Sequence, residues 1–259
     1  MTPQPILIST DFDGTIAGPP DGKPFAEPFM EWLREARAHR PVTWVINTGR
    51  DWESLSAELI ARNSPIWPDW VVLIERYVCK VENRKQIPLQ KWNHACDRAH
   101  DELFPASEAL FNRIREKFET RSGVQLIKDP GSPLGIITES EGLADRVAVF
   151  LEQTLPPTGK LRAVRNSIYF RFAHRDFNKG TSLEAVGGEL GITPTRTFAA
   201  GDHYNDLPML RLAYARQLAC PGNAVPEVKN RVREQGGFVA KSVAADGIAQ
   251  ALEYFHPRH

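Results

Sequence analysis

Cysteine is scarce in this chain, and the little there is does not cluster: Cys79, Cys96 and Cys220 are the three in 259 residues. Their odd number and wide spacing exclude a disulfide framework and any Cys-x-x-Cys metal or redox motif, so free thiols are expected. Net charge is missing too, with 32 Lys plus Arg against 32 Asp plus Glu. That balance removes the electrostatic argument for nucleic acid or an anionic membrane as partner. No apolar run approaches the roughly 20 residues that a membrane-crossing helix needs. The opening Met1-Thr2-Pro3-Gln4-Pro5 has no basic stretch and leads into only three apolar residues, Ile6-Leu7-Ile8, so no secretory leader is expected. Internal repeats and low-complexity segments are absent. These absences make a cytoplasmic protein the expectation.

What is present is ordinary for a globular enzyme-sized chain. The hydrophobic set makes up 42% and charged residues 25%, enough to bury a core, and the length suits one large or two modest domains. Short apolar runs alternate with amphipathic stretches, the pattern of βαβ units around a parallel sheet. Strands are expected at Ile6 to Thr10, Val42 to Asn47, Trp70 to Ile74 and Thr197 to Ala200. Phe29, Trp32, Leu33 and Ala36 mark one face of a helix whose first turn takes Pro28, and Leu55, Leu59 and Ala61 suggest another. From about Val78 to Arg171 the pattern changes. Helices at Ser107 to Glu119 and Leu143 to Leu155 alternate with more polar strands at Gln125 to Lys128, Leu134 to Thr138 and Leu161 to Val164, as in an antiparallel sheet with one exposed face. This stretch reads as a second domain inserted into the first.

In open parallel sheets ligands sit beyond the carboxyl ends of the strands. Three polar clusters fall there: Asp11-Phe12-Asp13-Gly14-Thr15, Asn47-Thr48-Gly49-Arg50 and Gly201-Asp202. In extended chain Asp11 and Asp13 share one face, and two close carboxylates call for a cation or a shared proton. Magnesium prefers oxygen ligands, and Asp202 supplies a third carboxylate. The same Asp-Gly spacing also fits a plain capped turn. Lys179 before Gly180 also fits a solvated helix start, and Asn205 and Asp206 also fit the cap of a helix running into Leu207, Met209 and Leu210.

Taken together, Asp11-Phe12-Asp13-Gly14-Thr15-Ile16, Thr48 in Asn47-Thr48-Gly49-Arg50, Lys179 in Phe177-Asn178-Lys179-Gly180, and Gly201-Asp202-His203-Tyr204-Asn205-Asp206 resemble the four motifs of the haloacid dehalogenase (HAD) superfamily, in its order. Asn223-Ala224-Val225-Pro226-Glu227 and Asp246-Gly247 match it in style. The inserted domain and the Asn-Lys-Gly and Gly-Asp-x-x-Asn-Asp forms are similar to subfamily IIB, which includes Cof-type sugar phosphatases and sucrose-phosphate phosphatases. The resemblance implies a Rossmann-like α/β core of residues 1–78 and 172–259 with an α+β cap of type C2B at 79–171. It implies a Mg2+-dependent phosphomonoester hydrolase working through a phospho-aspartate, with a sugar phosphate as the expected small-molecule substrate. In that scheme Asp11 is the nucleophile and Asp13 the general acid and base. Asp11, the Asp13 carbonyl and Asp202 bind the metal, and Asn205 and Asp206 support it. Thr48 and Lys179 bind the phosphoryl oxygens, and Gly49 and Arg50 contact substrate. A phosphomannomutase-like phosphotransferase is the first alternative and a non-catalytic binding protein on the same fold the second.

One stretch departs from the family pattern. Where many relatives carry Glu-Asn-Gly-Ala after the third core strand, this chain reads Glu75-Arg76-Tyr77-Val78. A different turn and different nearby contacts are expected there.

Overall fold

The structure, a computed structural model, describes residues 4–19 and 24–257. Met1 to Pro3, on which the expectation of no leader partly rests, lie outside the described residues. Along the chain run β1 (Ile6–Thr10), α1 (Glu27–His39), β2 (Val42–Asn47), α2 (Trp52–Ala61), β3 (Trp70–Leu73), β4 (Tyr77–Glu82), β5 (Lys85–Pro88), α3 (Gln90–Ala106) and α4 (Glu108–Phe118). Then come β6 (Val124–Asp129), β7 (Ser132–Thr138), α5 (Glu141–Thr154), β8 (Leu161–Asn166), β9 (Tyr169–His174) and α6 (Lys179–Leu190). The chain closes with β10 (Thr197–Ala200), β11 (Gln217–Cys220), α7 (Pro226–Glu234), β12 (Phe238–Val239) and α8 (Ala244–Phe255).

The elements form two compact units, Met1–Asn93 with Lys179–His259, and His94–Asn178. The first holds an eight-stranded sheet in the order β12-β11-β10-β1-β2-β3-β4-β5. It is parallel from β12 to β3, and β4 and β5 are added antiparallel. The second holds a four-stranded antiparallel sheet, β6-β7-β9-β8. The α/β class and the pairing of a parallel with a separate antiparallel sheet match the sequence reading. The expected boundaries at 79 and 172 do not. Residues 77–88 form a hairpin that extends the first sheet, and β9 is the third strand of the second sheet, so the units change at His94 and Lys179.

The first unit's strands are apolar runs because the sheet is covered. β1 is buried along its whole length. Pro28 stands in the first turn of α1, and that helix turns Phe29, Met30, Trp32 and Leu33 inward. Phe29 meets the fully buried Trp44 of β2 edge-on at 5.1 Å between ring centroids, an arrangement the ring quadrupoles favour. The second unit has its own core, in which Phe111, Ile114 and Phe118 of α4 and Val147 and Leu151 of α5 meet Leu134, Ile136, Phe170 and Phe172 of the sheet. Among the described residues no helix is long and apolar enough to cross a membrane.

Candidate active site

Parallel pairing of β1 with both β10 and β2 sets the ends of three strands side by side. Just past β1 the Asp11 amide still donates to Ala200 O at 2.9 Å, and just past β2 the Thr48 amide donates to Val72 O at 2.8 Å. Asp11, Thr48 and Asp202 therefore leave neighbouring strands at one edge of the sheet. Lys179 joins them from the first residue of α6, where the Asn47 side-chain amide donates to its carbonyl at 2.9 Å. Its side chain is 0% exposed, and Nζ donates to Asp11 Oδ1 and to Asp206 Oδ1, both at 2.6 Å. Asp11 Oδ2 accepts no hydrogen bond among the described residues.

The charges of this cluster hold one another in place. Burial disfavours the Lys179 ammonium, but the carboxylates of Asp11, Asp206 and Glu75 outweigh it and raise its affinity for the proton, as opposite charges at this range do. Burial pushes Asp11 well above the usual carboxylate range, opposed by Lys179 and reinforced by Asp206 and Asp202. Burial, then Asp206, pushes Asp202 up to about 7, against the hydrogen bond from Thr15 and the charge of Lys179. That bond runs from Thr15 Oγ1 to Asp202 Oδ1 at 2.8 Å. Gly14 makes room for it: its φ is +79°, and a Cβ there would lie 2.3 Å from Asp202 Oδ2.

The remaining predicted residues fall differently. The chain does not stay extended past Asp11. It turns between Phe12 and Ala17, where the amides of Thr15, Ile16 and Ala17 all donate to Phe12 O, and Asp13 lies exposed in that turn. The Asp13 carboxylate is held bidentate by Arg50, Nε to Oδ2 at 2.7 Å and Nη2 to Oδ1 at 2.8 Å. Arg50 also donates to Ser54 Oγ. Thr48 is buried, with its hydroxyl oxygen accepting from the Arg50 amide. Gly49 lies beside Glu75, whose Oε1 would be 3.4 Å from a Cβ at that position. No α-helix follows Asp206: Tyr204–Asp206 is a 3-10 turn, and Asp206 folds back so that Oδ2 accepts from the amides of Asp202 and His203 at 2.8 and 2.9 Å.

Whether these residues suit a divalent cation is a question of donors. One carboxylate oxygen from each of Asp11, Asp202 and Asp206 lies within 4.8 Å of the others, an all-oxygen set of the kind magnesium takes. Asp206 already uses both oxygens inside the protein, which suits it to support neighbours more than to bind. Asn205 Oδ1 is buried and has no hydrogen-bond partner among the described residues, a state that normally costs free energy unless a ligand or ion is met. The residues fit the ion. Glu75 completes this buried set, accepting from Asn205 Nδ2 at 2.9 Å. Sequence reasoning marked Glu75 only as part of a departed turn and gave it no role.

Comparison with known proteins brings out similarities along the chain. Residues 137–252 match the haloacid dehalogenase-like hydrolase family. Over 251 residues, 96% of the chain, it is 25% identical to the glucosylglycerol-phosphate synthase of Pseudomonas anguilliseptica. Over 81 residues, 31% of the chain, it is 33% identical to the phosphoglycolate phosphatase of Methanothrix thermoacetophila. The chain spans about a third of the length of these curated relatives, 31% and 34%. Among solved structures it is similar to the sucrose-phosphatase of Synechocystis sp. PCC6803, determined with sucrose and phosphate. That match has a TM-score of 0.71 and 18% identity, and covers 96% of this chain and 97% of the other. Residues 137–252 are thus similar to the haloacid dehalogenase-like hydrolases, and the fold is shared with the sucrose-phosphatase over nearly the whole chain.

Proposed function

We propose that this chain is a phosphatase that hydrolyses a small phosphorylated sugar through a phospho-aspartate on Asp11. The observation that carries this reading is the buried Lys179 ammonium bridging Asp11 and Asp206 at a strand end. It fixes Asp11 by Oδ1 and leaves Oδ2 to attack. In the first step Asp11 Oδ2 bonds to phosphorus, the ester P–O bond breaks, and the leaving alkoxide takes a proton from Asp13. In the second, Asp13 takes a proton from water, the water oxygen bonds to phosphorus, and the P–O bond to Asp11 breaks to release phosphate. Both Asp13 oxygens are engaged by Arg50, so each proton transfer requires that pair to open. A substrate anion that draws the guanidinium to itself would do this. Thr48 and Lys179 hold the equatorial oxygens, the positioning and charge neutralisation on which phosphoryl transfer depends.

Mg2+ would be held by Asp11, Asp202 and the Asp13 carbonyl, with Asn205 and Asp206 in support. When bound it supplies further neutralisation of the phosphoryl charge. The unit His94–Asn178 has the place in the chain of the family's cap, which selects the leaving group. A sugar or glycoside phosphate is favoured because the sucrose-phosphatase and glucosylglycerol-phosphate synthase likenesses run through that unit, while the phosphoglycolate phosphatase match covers only 31% of the chain.

The test is phosphate release from hexose phosphates, glycoside phosphates and phosphoglycolate, with Mg2+, with chelator, and with Asp11→Asn. Mg2+-dependent release that Asp11→Asn lowers by at least about 10³-fold, by analogy with removal of other nucleophiles, is the expected result. Release that survived the substitution would sink the covalent mechanism, and a preference for phosphoglycolate would sink the sugar.

A further inference from the structure

The connection between β3 and β4 is held in an unusual backbone conformation. Ile74 and Glu75 have φ of +42° and +68°, successive L residues, one of them β-branched, in the left-handed region. Such residues persist only where their surroundings over-determine them, and they concentrate at functional sites. Here the surroundings are the loop after β2: the Ile74 amide donates to Arg50 O and the Glu75 amide to Thr48 O, both at 2.9 Å. The turn drives an acidic side chain inward. Glu75 is 7% exposed and accepts from Asn205 Nδ2 at 2.9 Å, while Asn205 itself is 4% exposed.

An asparagine amide has a donor end and an acceptor end of nearly the same shape, and its neighbours decide which way round it sits. Glu75 Oε1 accepts from the NH2 end of Asn205 and so holds that end toward itself, which leaves Oδ1, buried and without a partner among the described residues, as the other end. An amide reversed in that place would offer N–H groups to a loop that already contains Asp202 and Asp206 and would remove an oxygen donor.

We propose that Glu75 is a positioning residue which, through the strained turn, orients Asn205 so that its Oδ1 is available to Mg2+ and its hydration shell at the Asp11–Asp202 site. It rests on the reading of that site as the metal centre. Glu75 need not touch substrate or metal. Its work is done by the direction of one hydrogen bond, in the way that outer partners orient ligands in other metal sites.

The test is Mg2+ affinity by isothermal titration calorimetry on the full chain without substrate, beside melting temperature. The variants are Glu75→Gly, Glu75→Gln, Asn205→Ala and the double Glu75→Gly/Asn205→Ala. Glycine accepts the left-handed backbone without strain, so Glu75→Gly is expected to keep or raise the melting temperature while weakening Mg2+ about 10-fold. A merely structural role would lower the melting temperature and leave the metal alone. Glu75→Gln keeps an acceptor for Asn205 Nδ2 and is expected to bind Mg2+ within about 3-fold of the unchanged protein, well inside the loss expected for an unsupported ligand. The double variant should bind no more weakly than Asn205→Ala, because both changes cut one path. Should Glu75→Gly not fold, Glu75→Asp, too short to reach Asn205, replaces it with the same expected loss. Unchanged Mg2+ affinity in Glu75→Gly, or losses that multiply in the double variant, would overturn the proposal and leave the metal site standing. No Mg2+ binding by the unsubstituted protein would overturn the metal site and the proposal together.

Discussion

Asp202 is asked to be an anion in a place that burial makes costly for anions. Its carboxyl is pushed up to about 7, by burial first and by Asp206 next, with Thr15 and Lys179 opposing. In the unfolded chain an aspartate titrates near 3.9. Between those values the folded protein keeps a proton that the unfolded chain has lost. The resulting stabilisation is full below about pH 4 and is lost as pH rises toward 7, at up to about 1.4 kcal/mol per pH unit. On the proposed function a divalent cation would take the proton's place, so its stabilising effect would grow over the same interval. The expected outcome in chelator is a fall in urea midpoint from pH 5 to pH 8, recovered by Mg2+ at pH 8 and hardly altered by it at pH 5. Asp202→Asn, which cannot ionise there, should flatten that slope. A chelated protein whose pH slope is the same with aspartate and asparagine at 202 would show that this carboxyl does not carry the effect.

At the scale of elements, the turn after β1 is what converts a buried strand into a site. Its Gly14 has φ +79° and leaves only 2.3 Å between a would-be Cβ and Asp202 Oδ2, whereas Gly191 has φ +64° with nothing within 4 Å. Alanine at either position meets the left-handed penalty of about 1–2 kcal/mol. Only at 14 must it also displace Asp202 and its bond from Thr15. Gly14→Ala is thus expected to weaken Mg2+ binding at least about 10-fold and to melt lower than Gly191→Ala, which should bind the ion normally. Calorimetry and a melting scan of the two variants decide it, and equal Mg2+ affinities would remove Gly14 from the site.

The same elements mark how far the sequence could be read. β1, β2 and β10 were legible to the residue because a covered parallel strand is mostly apolar and free of charge, and Asp11, Thr48 and Asp202 follow from where those stretches stop. β3 was read one residue too long, because nothing in the identity of Ile74 signals a positive φ. β5 is exposed throughout, an edge strand with no apolar alternation to read, and α3, with Pro105 one residue from its end, was not read from the sequence. The Asp13–Arg50 pair was hidden for a related reason: an i, i+2 spacing gives a shared face only if the chain does not turn between, and the turn at Phe12 is made by backbone hydrogen bonds. The role of Glu75 depends on Asn205, 130 residues away, and a single sequence carries no sign of that meeting.

For the molecule as a whole, the two units differ in what can be seen of them as they unfold. All six tryptophans, at 32, 44, 52, 67, 70 and 92, belong to the unit Met1–Asn93 with Lys179–His259, and His94–Asn178 has none. Tryptophan fluorescence therefore follows one core and far-ultraviolet circular dichroism follows both. Phe172 is fully buried in the second core, where it meets Phe111 edge-on at 5.3 Å, and removing such a ring costs about 3–5 kcal/mol. If each core is its own cooperative unit, Phe172→Ala moves part of the dichroism transition to lower urea and leaves the fluorescence midpoint near that of the unsubstituted protein. The two probes then cease to coincide, which is the signature of departure from two-state unfolding. Equal shifts in both probes would mean that the loss in one core is felt in full by the other. The chain would then have to be treated as one cooperative structure, and Mg2+ bound at the Asp11 site would stabilise residues 94–178 as strongly as it stabilises its own sheet.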